Sequence, residues 1–355
     1  MMVTTDPVLV VGTGRCGSTL VSRMVREHPQ ALSVSELFSF VSDLGMRIDR
    51  ALPARWLDGT EFWSILAEPQ PRQSILLRHG LQMPEVIYPW SQGRFTPETG
   101  LPPILQGLVP LLDPDDPDAL FDDIGRAMTV RPVADIAEHY RAFFSFLMHR
   151  FGRRLWVERS GGSLRVVRQL IELFPEAKIV HVVRDGRDVA LSMSRHIGFR
   201  MALVCGLQLD MLGTDPYESD DRSEEEDLDD DLAALLPEHF SADAFRALDL
   251  DAALLGHYWS GEIVNGLEAL SRTAPDRLLT LQYERLLADP VESVKELGQF
   301  MTGDVCPDWV ESAAAMVEPQ APRWPSLPAR LRAELELACA PGAEALFSAN
   351  TRPRR

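Results

Sequence analysis

The chain has 355 residues, 45% of them hydrophobic, enough for a sizeable core in one large domain or two modest ones. Its formal net charge of -18 argues against general affinity for nucleic acid or anionic lipid. The four cysteines, Cys16, Cys205, Cys306 and Cys339, lie far apart without CxxC or Cys/His spacing, which argues against a zinc site or disulfide framework and points to a reduced, cytoplasmic setting.

The opening MMVTTDP leads into only four apolar residues before a glycine, so neither a signal peptide nor a membrane span is expected there, and no later run is long and apolar enough for a bilayer. VLVV (8–11) reads as a buried strand, and residues 18–28 have helical spacing that ends at His28-Pro29. The glycine turn between them fits two phosphate-binding frames. Gly12, Gly14 and Gly17 match G-x-G-x-x-G, while Gly12, Gly17 and Thr19 match G-x-x-x-x-G-K-[ST] with Ser18 in the lysine position. A second strand, ALSV (31–34), leads into Ser35-Glu36 and a helix-like run, LFSFVSDLGMRI. Glu36 stands about where a dinucleotide fold carries its ribose-binding acid.

From about 46 to 135 prolines break the pattern into short helices, read as a cap or acceptor-side insertion in which Trp56, Trp63, Tyr88 and Trp90 are candidates for an apolar acceptor wall. Regularity returns with a helix at 136–150, the strand RLWVE (154–158), a helix at 163–174 and the β-branched strand KIVHVV (178–183). RDGRDVALSMS then turns into another helix. A second insertion, at about 200–250, holds ESDDRSEEEDLDDD (218–231), whose ten acidic residues face one arginine and read as a solvated, partly disordered loop. An acidic lip for a cationic or amphipathic substrate is the sharper alternative. A helix at 251–272, the strand LLTLQY (278–283) and a C-terminal helical region complete an α/β pattern: a parallel β-sheet flanked by helices, read as one domain over 1–355.

The loop adds Arg15, Ser18 and Thr19 to its glycines, three side-chain partners suited to a compact terminal oxyanion at a helix N-terminus. Without the lysine, hydrolysis of ATP or GTP is not expected. VLVVGTGRCGSTLVSRMVREHP resembles the 5′-phosphosulfate loop of sulfotransferases that use 3′-phosphoadenosine 5′-phosphosulfate (PAPS), a family with a P-loop NTPase-like fold. IVHVVRDGRDVALS resembles their 3′-phosphate strand and helix, with Ser192 eight positions after Arg184. LLTLQYERLLADP and PRWPSLPARL are similar to the family's later segments.

The resemblance implies a sulfotransferase (EC 2.8.2 type) that moves a sulfuryl group from PAPS to a hydroxyl or amine of a small-molecule acceptor, a secondary metabolite, carbohydrate or lipid, with adenosine 3′,5′-bisphosphate (PAP) as the product and no metal. Arg15, Cys16, Gly17, Ser18 and Thr19 would hold the 5′ end; Arg184, Ser192 and His196 the 3′-phosphate region; Tyr283, Arg323 and Trp324 the rest of the nucleotide. HPQALSVSE is similar to the tyrosylprotein sulfotransferase branch, in which a glutamate seven residues after His-Pro is the catalytic base; here that is Glu36. Arg159, 25 residues before Arg184, matches that branch's second cation, and Glu158 is the rival base on the opposite strand face. Two other readings stay open: an NAD(P)-dependent oxidoreductase on a Rossmann fold, and a nucleotide-binding protein without catalysis. The acceptor and the oligomeric state are not readable.

Overall fold

A computed structural model describes residues 6–222 and 228–351. Its centre is a five-stranded sheet, β1 (Val8–Val11), β2 (Ala31–Ser35), β3 (Leu155–Arg159), β4 (Lys178–Val183) and β5 (Leu278–Gln282), in the order β2-β3-β1-β4-β5. Every pairing is parallel. Helices cover both faces, so β1 and β2 are buried at every position, as their unbroken apolar or small-residue runs require.

Strand order decides between the two loop frames. In the dinucleotide-binding order β2 lies beside β1, whereas here β3 is inserted between them. The oxidoreductase reading, with Glu36 as the ribose acid, is therefore corrected. The chain leaves β1 on one flank and later crosses to β4 on the other, so the sheet switches direction at β1. Crevices for ligands open at the strand C-termini beside such a switch, and here the loops after β1 and β4 are neighbours.

The boundaries follow the sequence reading with local differences. Helix α1 (Ser18–Arg26) follows the glycine loop. The run LFSFVSDLGMRI forms only the short helix α2 (Leu37–Val41), because Asp43, Leu44 and Gly45 take left-handed φ values of 48, 62 and 83°. The stretch read as a helix at 163–174 begins as a 3-10 turn, Ser163–Val166, before Val167–Leu173.

Parts of the second insertion on either side of residues 223–227 form helices and a packed cluster. Ile197–Leu212 is a helix, and Met201, Val204 and Cys205 pack with Leu228, Leu232, Leu235, Leu236, Phe240 and Phe245 in a separate apolar cluster. That much apolar area removed from water outweighs the acidic composition nearby. Of the acidic stretch, residues 223–227 lie outside the described residues. At its described ends Glu218 pairs with Arg47 at 2.9 Å and Arg222 pairs with Glu238, so these charges serve the fold.

The first insertion is tied to the core by Arg72, which is fully buried and pairs with Asp43 at 3.0 Å and with Asp215. Among the described residues no helix is long and apolar enough to cross a membrane.

Candidate active site

The loop after β1 is built on left-handed turns at Gly14, Arg15 and Gly17 (φ 79, 54 and 93°). Glycine is required at Gly17 twice over: the φ is strained for any side chain, and a Cβ there would lie 2.2 Å from the ring of Tyr283. The turn delivers the chain into α1, whose first N–H groups have no partner within the helix and face the loop. Cys16 is buried, and burial pushes its thiol up, so only its backbone is available to an anion.

Register across the sheet brings the distant parts together. Arg184 follows β4 beside the loop and donates to the Arg15 carbonyl at 3.3 Å, while its guanidinium stacks 4.8 Å from the centre of the Tyr283 ring. Arg15 Nε donates to Ser192 Oγ at 3.1 Å. Arg15, Arg184 and Ser192 therefore line one cleft of about 710 Å³ together with His196 and Arg323. A connected pocket of about 270 Å³ is lined by Gly17, Ser18, Thr19, Tyr283 and the same Arg15, Arg184 and Ser192. The loops after β1 and β4 thus border shared space.

Of the residues expected at the nucleotide, Trp324 is engaged elsewhere. The Trp324 ring lies 3.5 Å under the Arg187 guanidinium and is not among the residues lining the cleft. It is held there by Asp188, which accepts from the Arg323 and Trp324 N–H groups at 2.8 and 3.2 Å. Tyr283 presents its ring to the pocket, while its hydroxyl donates to Gln320 at 3.1 Å.

On the other side of Arg15 a narrower inner pocket, about 100 Å³, is lined by Glu36, Arg159, Ser18 and Thr19. Ser35 pairs with Arg159 across β2 and β3, so the next residue, Glu36, falls beside the Arg159 side chain. Its carboxylate is ion-paired with Arg159 and accepts from Ser39 Oγ and from the Gly161 N–H, both at 2.8 Å. Glu36 sits at the N-terminus of α2 in a left-handed conformation (φ 59°) and makes no capping bond. Strand alternation turns Glu158 the other way: it is fully buried, bonded to Ser160, pushed up to about 8 by burial and absent from the pocket lining, so the rival base does not face this pocket.

Glu85, from the first insertion, lines the inner pocket and belongs to no motif read from the sequence. It accepts from His196 Nε2 at 3.1 Å and pairs with Arg15 at 3.4 Å. Burial pushes its carboxyl up, but the His196 hydrogen bond and the His196 and Arg15 charges bring it below its usual range. Its segment divides the two spaces: Gln82 and Pro84 line the large cleft, Met83 and Glu85 the inner pocket. The aromatic wall is also drawn from elsewhere. Trp56 is exposed, Trp63 packs on Phe121, and Tyr88 and Trp90 pack on each other; the inner pocket takes Phe38, Phe40, Leu44, Met83 and Phe199 instead. His181 is a core residue on β4, driven down to about 4 by burial.

Residues 164–318, which hold β4, Arg184, Ser192 and Tyr283, match the family model described as a sulfotransferase domain. That match gives residues 164–318 as a sulfotransferase domain. Solved structures similar to this chain include a sulfotransferase from Mycobacterium avium (14% identity, covering 97% of this chain and 77% of that one, TM-score 0.45). Another, from Alicyclobacillus acidocaldarius, has 16% identity, coverage of 99% and 98%, and a TM-score of 0.42. The sulfotransferase domain of the Synechococcus olefin synthase has 17% identity, coverage of 98% and 97%, and a TM-score of 0.42. No curated protein sequence matches the chain significantly.

Proposed function

We propose that this chain is a sulfotransferase that takes PAPS as donor and a small-molecule hydroxyl or amine as acceptor. The observation that carries the reading is the convergence of Arg15 and Arg184, from loops after different strands, on one cleft. A nucleotide with anionic groups at both its 5′ and 3′ positions is the ligand that uses both cradles. Arg15, Ser18, Thr19 and the N–H groups opening α1 would hold the 5′ end. Arg184, with Arg323 lining the same cleft, would hold the 3′-phosphate; Ser192 and His196 act on this reading chiefly by orienting Arg15 and Glu85.

The donor supplies an activated sulfuryl group, so the protein's work is positioning and charge stabilisation. Glu36 accepts the proton of the acceptor as a sulfur–oxygen or sulfur–nitrogen bond forms to it and the sulfur–oxygen bond to the 5′-phosphate breaks. Arg159 orients Glu36 through their ion pair and offsets charge on the sulfuryl oxygens. Arg15 offsets the charge that develops on the departing phosphate oxygen; being permanently cationic, it acts electrostatically. The Glu36 placement is the one that resembles the tyrosylprotein branch, and it carries no implication of a protein acceptor.

The test is release of PAP from PAPS across an acceptor panel. Acceptor-dependent release is expected. PAP binding with no release for any acceptor would favour the non-catalytic reading, and absence of PAP binding would overturn the donor assignment.

A further inference from the structure

The inner pocket carries an uneven set of charges. Its lining includes the cations Arg15, Arg159 and Arg165 and the anions Glu36 and Glu85, with His196 beside them. Arg159 is matched by Glu36, and Arg15 and His196 share Glu85. Arg165 is left over: among the described residues no carboxylate lies within 4.0 Å of its guanidinium. It is exposed, on the 3-10 turn that follows β3, and lies beside the Tyr258 hydroxyl and the Glu262 carboxyl. Glu262 is a weak counter-charge, because burial pushes it up to about 7 and one of its oxygens is buried without a hydrogen bond.

The pocket thus runs from a buried carboxylate, Glu36, past the apolar side chains of Phe38, Phe40, Met83 and Phe199, to an exposed cation at Arg165. At about 100 Å³ it is smaller than the cavity of about 150 Å³ that holds one benzene ring in another protein. That volume suits a slender chain, or a single ring seated partly in the pocket mouth, better than a fused polycycle.

Resting on the sulfotransferase reading, the geometry points to an acceptor that is a slender hydroxylated organic anion: its hydroxyl meets Glu36, its apolar body fills the pocket, and its carboxylate meets Arg165 and the Tyr258 hydroxyl. This reverses the cationic acceptor suggested by the acidic insertion, none of whose described residues lines the pocket. Arg165 is then a specificity-determining residue for the acceptor, outside the donor cleft.

The experiment compares ω-hydroxyalkanoates and hydroxyphenylalkanoates of graded length with their methyl esters, measuring PAP release from PAPS and, separately, PAP affinity by calorimetry. The wild type should favour the best acid over its ester by about tenfold or more in kcat/KM, the low end of what a hydrogen bond to a charged group contributes. In Arg165→Gln that ratio should fall to about 1, with the PAP Kd equal to that of the wild type. Equal use of acids and esters by the wild type, or a ratio that persists in Arg165→Gln, overturns the anionic acceptor while PAP binding stands. Turnover confined to amines or fused polycyclic alcohols overturns it as well. Failure of PAP to bind overturns the donor reading and this inference together.

Discussion

Glu36→Gln separates chemistry from binding. The Glu36 carboxylate receives the Arg159 guanidinium, the Ser39 hydroxyl and the Gly161 N–H. Glutamine keeps one accepting oxygen, so Arg159 retains a neutral partner, while the amide nitrogen faces donors it cannot accept from. The structural cost is the loss of a hydrogen bond between charged groups, about 1.5–3 kcal/mol. The chemical cost is larger in effect, because a positioned general base contributes roughly 10²–10⁴-fold, about 3–5 kcal/mol of barrier. Glu36 lines none of the spaces that hold Arg184, so donor affinity should be unaffected. The assay pairs steady-state kcat, from PAP release, with the PAP Kd from calorimetry on the same preparation. A kcat at least 100-fold lower with PAP affinity within about twofold of wild type is expected. A variant that binds PAP and keeps kcat within threefold of the wild type would refute the assignment of the base.

Gly17→Ala should destabilise the protein by about 1–3 kcal/mol in urea unfolding and abolish PAP binding, because the added methyl strains a φ of 93° and drives into Tyr283. Arg72→Leu should cost about 3–5 kcal/mol in the same assay, since it leaves Asp43 buried without its cation. Glu158 is raised to about 8 in the folded protein, so the native state binds one more proton than the unfolded chain between about pH 4.5 and 8. Stability from this group is therefore lost as pH rises through that window, by up to about 1.4 kcal/mol per unit. In Glu158→Gln the fall between pH 6 and pH 8 should be shallower than in the wild type; parallel curves would count against the buried neutral carboxyl.

The sheet was legible because VLVV and KIVHVV are unbroken apolar or β-branched runs, which only a doubly covered parallel sheet accommodates at such lengths. Glycine spacing marked the loop, since left-handed turns at Gly14 and Gly17 restrict the residue type directly. What stayed hidden depends on contacts distant in sequence. The apolar spacing of LFSFVSDLGMRI continues past α2, but its left-handed turn at Asp43 is held by Arg72, 29 residues on, a pairing no local pattern reveals. Glu85 belongs to no motif. It reaches Arg15 and His196 because the first insertion folds back over the strand ends, and the only signal in the sequence was a lone carboxylate in a proline-broken stretch. Trp324 has the composition of a nucleotide lid, yet Asp188 and Arg187 turn it away, a competition between partners that side-chain type cannot settle. The acidic composition of the second insertion likewise concealed Leu228, Leu232, Leu235 and Leu236, whose helical spacing builds a separate cluster.

The central claim is that the cradles at Arg15 and Arg184 hold the two ends of one nucleotide. Its most direct measurement is the affinity of PAP relative to adenosine 5′-monophosphate, in the wild type and in Arg184→Gln, by calorimetry at fixed salt. The wild type should prefer PAP by about 10- to 100-fold, the contribution of roughly 1.5–3 kcal/mol expected from a charge-assisted contact to the 3′-phosphate, and the variant should bind the two alike. Equal affinities in the wild type, or a preference for PAP that survives in Arg184→Gln, would contradict it.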